Sequence, residues 1–164
     1  MTCVWVVGAD VLVISQSSNF TINIFPDLPA NFGQILPYEG IKGCVIAANP
    51  PHACEAIDPP PKNSNCSDKW FVLIRRFECN FVDKVRAAQN ADYDAAIIYN
   101  VGSNLIGNDM FPSEVARLSG YIITLPFTIL EPMAGEDADD ITISAVFIGQ
   151  DGKCCYFSSI INYF

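Results

Sequence analysis

The sequence predicts an α/β fold, a mixed sheet or open barrel with flanking helices. Three observations predict it: short β-branched runs in the first half, an apolar run that becomes an amphipathic helix and then an apolar run again at residues 71–100, and a further β-branched run near the end. With 164 residues, 51% of them hydrophobic, the chain is long enough for one domain with a core.

The first predicted strands are short and separated by turn-forming residues. The runs VLVIS, FTINIF and IKGCVIAA have strand composition, and a Pro/Gly-rich connection at 26–40 precedes the third. The opening run CVWVV is either the end of a truncated signal sequence or a first strand, since no basic segment precedes it. The proline-rich segment 49–68 lacks periodicity, so we expect a surface loop.

Residues 71–100 predict a strand, a helix and a parallel strand. The run WFVLI suits a strand that is covered on both faces, and AAIIY resumes strand character after the helix. Asn80 is the expected N-cap, with Asp83 three residues later. The predicted apolar helix face holds Phe81, Val85 and Ala88. The connection between the two strands should be right-handed.

Two segments near the end compete for one place beside AAIIY. Both GYIITLPFTIL and ITISAVFIG have strand composition, but Pro126 cannot donate to a ladder and favours an edge for the first. We therefore expect residues 144–148 in the sheet, residues 120–130 as an extra edge hairpin or loop, and few core contacts from residues 151–164.

Charge and hydropathy exclude two kinds of partner. Eighteen acidic and nine basic residues give a net charge of -9, which opposes nucleic-acid binding because no basic cluster is available for phosphates. The uncharged apolar stretch at 118–130 is shorter than the roughly 20 residues that a membrane helix needs. We expect no membrane span in this chain.

Cysteines and glycosylation sequons favour the secretory pathway. The chain has seven cysteines, and N-x-S/T sequons begin at Asn19 and Asn65. An odd count leaves at least one thiol unpaired within the chain. Cys44 lies inside a predicted strand and is expected to be a buried small hydrophobe, while a bond between the adjacent Cys154 and Cys155 would be strained.

The order of residues after WFVLI resembles the protease-associated (PA) domain. In that family an apolar strand is followed by R-x-x-C-x-F, a helix with K-V-x-x-A-Q-x-A, and a strand that ends in Asn. The matching residues here are Arg76, Cys79, Phe81, Lys84, Val85, Ala88, Gln89, Ala91 and Asn100. Upstream, DLPANFG, EGIKG and ACEAIDPPP resemble the luminal domain of goliath-type transmembrane RING ubiquitin ligases.

The resemblance covers about residues 9–109 and resumes at ISAVFIGQ, so it implies one PA domain at 1–150 with an atypical insertion at about 113–140. Residues 151–164 form a divergent tail, and Asp92 stands where the family usually has the glycine that ends the helix. The membrane helix and RING of the family are absent from this sequence. Because the closing helix that covers one sheet face in the family is replaced in this sequence, we expect an exposed apolar patch and a domain that is less stable than its relatives.

The resemblance implies a luminal or extracellular module that recruits client proteins, in the secretory or endolysosomal system. Recognition would use the loops at about 50–66 and 101–115. Two alternatives stay open: the chain is a fragment of a complete E3 ubiquitin ligase, or it is a thiol hydrolase that uses Cys54. The exon structure around residues 112–150 would show whether the inserted stretch is translated intron.

Catalytic and metal sites are disfavoured by residue type and spacing. A RING needs eight zinc ligands in short-spaced pairs, whereas this chain has one histidine and no C-x2-C, so we expect no ubiquitin transfer, no cofactor and no stoichiometric zinc. His52 and Cys54 lack an orienting group for thiol catalysis, and a loop so rich in proline is poorly suited to converge metal ligands such as Glu55 and Asp58.

Arg75 and Arg76 follow the WFVLI strand, where arginines are usually solvated or paired locally. We expect pairing with Glu78 or Asp83 rather than with a carboxylate of a partner protein.

A disulfide is expected between Cys54 and Cys79. Both cysteines follow the carboxyl ends of predicted strands, and if these strands are parallel in one sheet their exit loops meet at the same edge. The closed loop would be about 25 residues and would contribute roughly 3 kcal/mol by the chain-entropy relation.

Overall fold

A computed structural model of the chain describes residues 3–7, 10–14, 21–62, 69–101, 133 and 135–149. These residues contain seven strands and one helix. In chain order the elements are β1 (Cys3–Val7), β2 (Asp10–Ile14), β3 (Thr21–Pro29), β4 (Ile41–Ala47), β5 (Lys69–Arg75), α1 (Phe81–Asn90), β6 (Ala95–Tyr99) and β7 (Ser144–Ile148).

The strands form a closed barrel in the order β1-β2-β3-β7-β6-β5-β4. Strands β1 to β3 are an antiparallel meander, and β4 to β7 are parallel to one another. The antiparallel pairs β3–β7 and β1–β4 join the two halves. The predicted mixed α/β sheet is confirmed, and the opening run is a strand whose pairing with β4 closes the barrel.

The unit predicted at residues 71–100 is confirmed, since α1 connects the parallel neighbours β5 and β6. Strand β7 lies on the other side of β6, with Ala95 opposite Ser144 and Tyr99 opposite Ile148. All five residues of β7 are buried, so the expectation for 144–148 is confirmed. The competing segment 120–130 and the tail 151–164 lie outside the described residues.

Strand β3 continues to Pro29, whereas the sequence predicts a connection from residue 26 onwards. Asp10 of β2 is opposite Pro26, and Asp27 is opposite Ile148 of β7. The proline therefore lies where β3 changes its antiparallel partner, a position at which a missing backbone N–H disturbs the ladder little.

The parallel strands have apolar side chains on both faces, as the continuous run WFVLI predicts. Phe71 and Leu73 of β5 belong to one buried cluster, which also takes residues from β2 and β3 and fills the barrel. Val72 and Ile74 point to the opposite face and pack in a second cluster with α1 and the surrounding loops. The barrel thus has an inner core and an outer core.

Helix α1 covers the outer face with a wider apolar side than predicted. Val85 and Ala88 are fully buried, but Phe81 is only partly buried, and Val82 and Lys84 are buried as well. Asn80 is the N-cap residue, yet its side chain makes no capping hydrogen bond. The width of the buried side reflects contact with loops as well as with the sheet.

The helix ends in a Schellman motif. The N–H of Tyr93 donates to the carbonyl of Ala88, and the N–H of Asp92 donates to the carbonyl of Gln89. Tyr93 and Ala88 are both buried, which gives the apolar contact typical of this motif. Asp92 has φ 66°, the left-handed conformation that favours glycine.

Replacing Asp92 with glycine should therefore stabilise the protein. Removing the side chain at a positive φ relieves steric cost, so we expect Asp92→Gly to raise the free energy of unfolding by about 1 kcal/mol, measured by urea denaturation. Asp92→Ala is the matched control, because it keeps a Cβ and should not be stabilising. Equal effects of the two substitutions would contradict this explanation.

Asp27 is a buried carboxyl group in the barrel wall. It is 4% exposed, and neither of its carboxyl oxygens has a hydrogen-bond partner in the part of the chain that the structure describes. Burial, with a smaller contribution from Asp10, raises the pKa of Asp27 to about 7. The unfolded chain would ionise this group near pH 4.

Asp27 should make the protein more stable in mild acid. Between about pH 4 and pH 7 the unfolded state binds fewer protons than the folded state, so the contribution of Asp27 to the free energy of unfolding falls as pH rises, by up to about 4 kcal/mol. Asp27→Asn should remove most of this dependence in urea unfolding at pH 4.5, 6 and 7.5. Asp139→Asn, at an exposed site, is the control and should leave the pH profile unchanged. A steep profile that persists in Asp27→Asn would rule out Asp27 as its source.

Candidate functional site

The proline-rich loop at 49–62 is fastened to the start of α1 by a disulfide. Cys54 and Cys79 are bonded, with their Cα atoms 5.7 Å apart. Strands β4 and β5 are parallel, so the two loops that follow them leave the barrel at the same end, as expected. The thiol-hydrolase alternative is wrong for this structure, because Cys54 carries no free thiol.

The same loop is less exposed than its composition predicts. Ala53 and Ile57 are buried in the outer core, where they cover the sheet beside α1. The hydroxyl of Tyr93 donates to the carbonyl of Asp58, and the N–H of Arg75 donates to the carbonyl of Pro51. Burial, followed by the charge of Asp58, raises the pKa of Tyr93 to about 12, so Tyr93 remains a donor at neutral pH.

The side chain of Lys84 contacts the 49–62 loop from the protein interior. Its side chain is fully buried, and its Nζ donates to the carbonyl of His52 and lies 3.6 Å from the Sγ of Cys54. Burial lowers the pKa of Lys84, although the charges of Glu78 and Asp83 oppose this effect. No carboxylate of the described residues is in hydrogen-bonding contact with Lys84, which is unusual for a buried lysine.

Arg76 connects α1 to the strand ends β6 and β7. Its guanidinium lies 5.1 Å from the ring centre of Phe147, 5.0 Å from Phe77 and 5.9 Å from Phe81. Its Nη1 donates to Oδ1 of Asn100 over 3.0 Å, and the same oxygen accepts from the N–H of Val101.

The expected pairing of Arg75 and Arg76 with acidic neighbours is wrong. Asp83 pairs instead with Arg86 in the same helix. The Nε of Arg75 is buried and has no hydrogen-bond partner within the described ranges. Two of the rings around Arg76, those of Phe77 and Phe81, are within five residues of it, whereas Phe147 comes from β7 and no sequence spacing indicates that contact.

The outer side of α1 holds the loop at 135–142. Arg86 donates to both carboxylate oxygens of Asp140, and this contact raises the pKa of Arg86 and lowers that of Asp140. Gln89 donates to the carbonyl of Asp140 and accepts from the N–H and hydroxyl of Thr142. The sequence did not indicate the role of Arg86, since a partly exposed arginine on a helix carries no distinctive pattern.

Two clefts lie where these loops meet the helix. The larger cleft, of about 550 Å³, lies at the start of α1. Its lining combines charged, amide and aromatic side chains: Asn31, Arg76, Phe77, Cys79, Asn80, Phe81, Val82, Gly135 and Glu136. The smaller cleft, of about 320 Å³, lies between the 49–62 loop and α1, and Cys54, Asp83 and Arg86 contribute to it.

The other predicted site residues are placed as follows. Val85, Ala88 and Ala91 pack in the outer core or against it. Cys44 is disulfide-bonded rather than a free small hydrophobe. The sequons at Asn19 and Asn65, and nearly all of the loop at 101–115, lie outside the described residues.

In the described ranges, no group of His, Cys, Asp or Glu is arranged to hold a metal ion, and no helix is long and apolar enough to cross a membrane.

The barrel and its helix match a known protein family. A family model described as the PA domain matches residues 41–152, which include the four parallel strands and α1. The chain belongs to the PA domain family. In this PA domain, polar side chains join neighbouring segments to α1. Lys84 and Gln89 of the helix bind loop carbonyl groups, and Arg76 contacts the ends of β6 and β7.

Curated relatives of this PA domain are E3 ubiquitin-protein ligases. RNF13 of Gallus gallus is 50% identical over 98 residues, which are 60% of this chain and 25% of that protein. Godzilla of Drosophila melanogaster is 37% identical over 145 residues, or 87% of this chain and 23% of that protein. ZNRF4 of Homo sapiens is 46% identical over 80 residues, covering 49% of this chain and 18% of that protein. The chain spans at most about a quarter of the length of these relatives.

The environment of Arg76 predicts a large difference between two adjacent arginines. Arg76→Met removes a cation from three rings and a hydrogen bond from Asn100, so we expect a loss of about 2 kcal/mol in the free energy of unfolding. Arg75→Met removes an Nε that has no hydrogen-bond partner among the described residues, and we expect it to change stability by less than about 0.5 kcal/mol. Equal losses in urea denaturation would contradict the role assigned to Arg76.

Proposed function

We propose that this chain is a luminal or extracellular protein-interaction module that recruits client proteins for a family of transmembrane E3 ubiquitin ligases. Its membership of the PA domain family and its ligase relatives support the family context. The Cys54–Cys79 disulfide is typical of proteins in the secretory pathway, where thiols are oxidised.

The larger cleft is the feature that carries this proposal. Its volume of about 550 Å³ lies within the usual range for ligand sites, and its lining offers Arg76 and Glu136 beside the half-exposed ring of Phe77. Since the barrel is closed, its described strands offer no free sheet edge to which a client could add a strand. A client segment would therefore bind in the cleft through side chains.

Residues 1–150 would act as one domain in this function, with an atypical insertion at about 113–140 and a divergent tail at 151–164. The alternative that the chain is a piece of a complete E3 ubiquitin ligase is compatible with its match to 25% of RNF13 and 23% of Godzilla. In both cases, this portion would bind clients and another region would transfer ubiquitin.

Site-specific photo-crosslinking in the secretory pathway tests the cleft. A photoreactive amino acid at Phe77 should capture a discrete set of proteins, whereas the same amino acid at the exposed Lys42 of β4 should not. Asn80→Trp should reduce capture at least about fivefold by filling the cleft, because Asn80 lines the cleft and makes no capping bond that the change could break. Lys42→Trp is the matched control. Capture that is equal at both positions, or unchanged by Asn80→Trp, would refute this site.

A further inference from the structure

The Cys54–Cys79 disulfide lies between the two clefts. Cys79 lines the larger cleft, and Cys54 lines the smaller one. Cys54 is exposed and Cys79 is partly exposed, so neither cysteine is shielded by the core. A small molecule can therefore reach the bond from either cleft, so the surroundings of the two sulfur atoms decide which one is attacked.

The surroundings of the two sulfur atoms are unequal. The Nζ of Lys84 lies 3.6 Å from the Sγ of Cys54, and its other hydrogen bond goes to the neutral carbonyl of His52. The acidic groups that act on Lys84 are Glu78 and Asp83, and Asp83 is engaged by Arg86. Among the described residues, no carboxylate lies within hydrogen-bonding distance of this ammonium group, and a negative charge on Cys54 would place an anion beside it.

We propose that this disulfide is a thiol-exchange site, in which a small thiol enters the larger cleft, attacks the Sγ of Cys79 and expels Cys54 as a thiolate bound to the Lys84 ammonium. A leaving thiol with a low pKa departs faster, and a neighbouring lysine lowers the pKa of a cysteine. The role of Lys84 would then be chemical as well as structural.

The electrons balance in two steps. The incoming thiolate forms a bond with the Sγ of Cys79, and the electron pair of the Cys79–Cys54 bond goes to the Sγ of Cys54. A second thiol releases Cys79 as a thiolate and leaves as the symmetrical disulfide. Two thiols are oxidised and one protein disulfide is reduced. The product has the 49–62 loop no longer linked covalently to the start of α1.

Regiochemistry provides the first test, on the unsubstituted protein. Free thiols are blocked with iodoacetamide, the folded protein is treated with glutathione at pH 7.5, and the reaction is quenched with N-ethylmaleimide before peptide mapping without reductant. We expect glutathione on Cys79 and maleimide on Cys54, in at least about fivefold excess over the reverse pattern. The reverse pattern, an equal mixture, or no mixed disulfide at millimolar glutathione would overturn the proposal.

Kinetics provide the second test. Lys84→Met should slow the first exchange step about tenfold, because the leaving thiolate loses its cation, and Lys84→Arg should restore the rate to within about twofold of the original. Lys42→Met removes an exposed lysine of β4 and should leave the rate unchanged. Equal rates for the Met and Arg substitutions at Lys84 would overturn the assigned role.

A variant in which Cys54 is a free thiol separates the chemical role of Lys84 from a purely structural one. In Cys79→Ala, the pH dependence of Cys54 alkylation should give a pKa below the ordinary value of about 8.5. Adding Lys84→Met should return this pKa to 8.5 or above. A Cys54 pKa that is ordinary in Cys79→Ala would overturn the proposal, even if Lys84→Met alone failed to fold.

Discussion

The structure depends on the need to cover the outer face of four parallel strands. Parallel strands are usually buried on both sides, and β4 to β7 carry apolar residues inward and outward. The one described helix has ten residues, a length of about 15 Å, and cannot cover this face alone. The loops must complete the cover, and they do so with Ala53, Ile57, Met133 and Ile141.

Loops that cover a core bring backbone carbonyl groups with them, and these groups need donors. The polar side chains of α1 supply several of them: Lys84 reaches the carbonyl of His52, and Gln89 and Arg86 reach those of Asp140 and Asp137. Several residues of the family motif thus form hydrogen bonds or a disulfide that join α1 to its loops.

The same arrangement determines where recognition and exchange can take place. Two concave surfaces of the described residues lie in the seams between α1 and the loops. The disulfide crosses one of these seams, with Lys84 behind it. Client binding and thiol exchange would therefore share the larger cleft, and a change in one would alter the geometry available to the other.

The sequence by itself determined the local elements and their order. The continuous run WFVLI, the helical spacing of Val85 and Ala88, and the β-branched run at 144–148 identify strands and a helix, because burial on one or two faces imposes a period on the chain. The position of Cys54 and Cys79 after two such strands was sufficient to expect their bond.

Only the tertiary structure decided what lies opposite each of these elements. The contact of Arg76 with the ring of Phe147, the burial of Lys84 and Asp27, and the closure of the barrel by β1 each join segments that are far apart in the chain. Periodicity reports that a side chain is buried on one face of its own element, but it carries no information about which distant segment covers that face. For this reason the strands and the helix were predictable, whereas the clefts and the charges beside them were not.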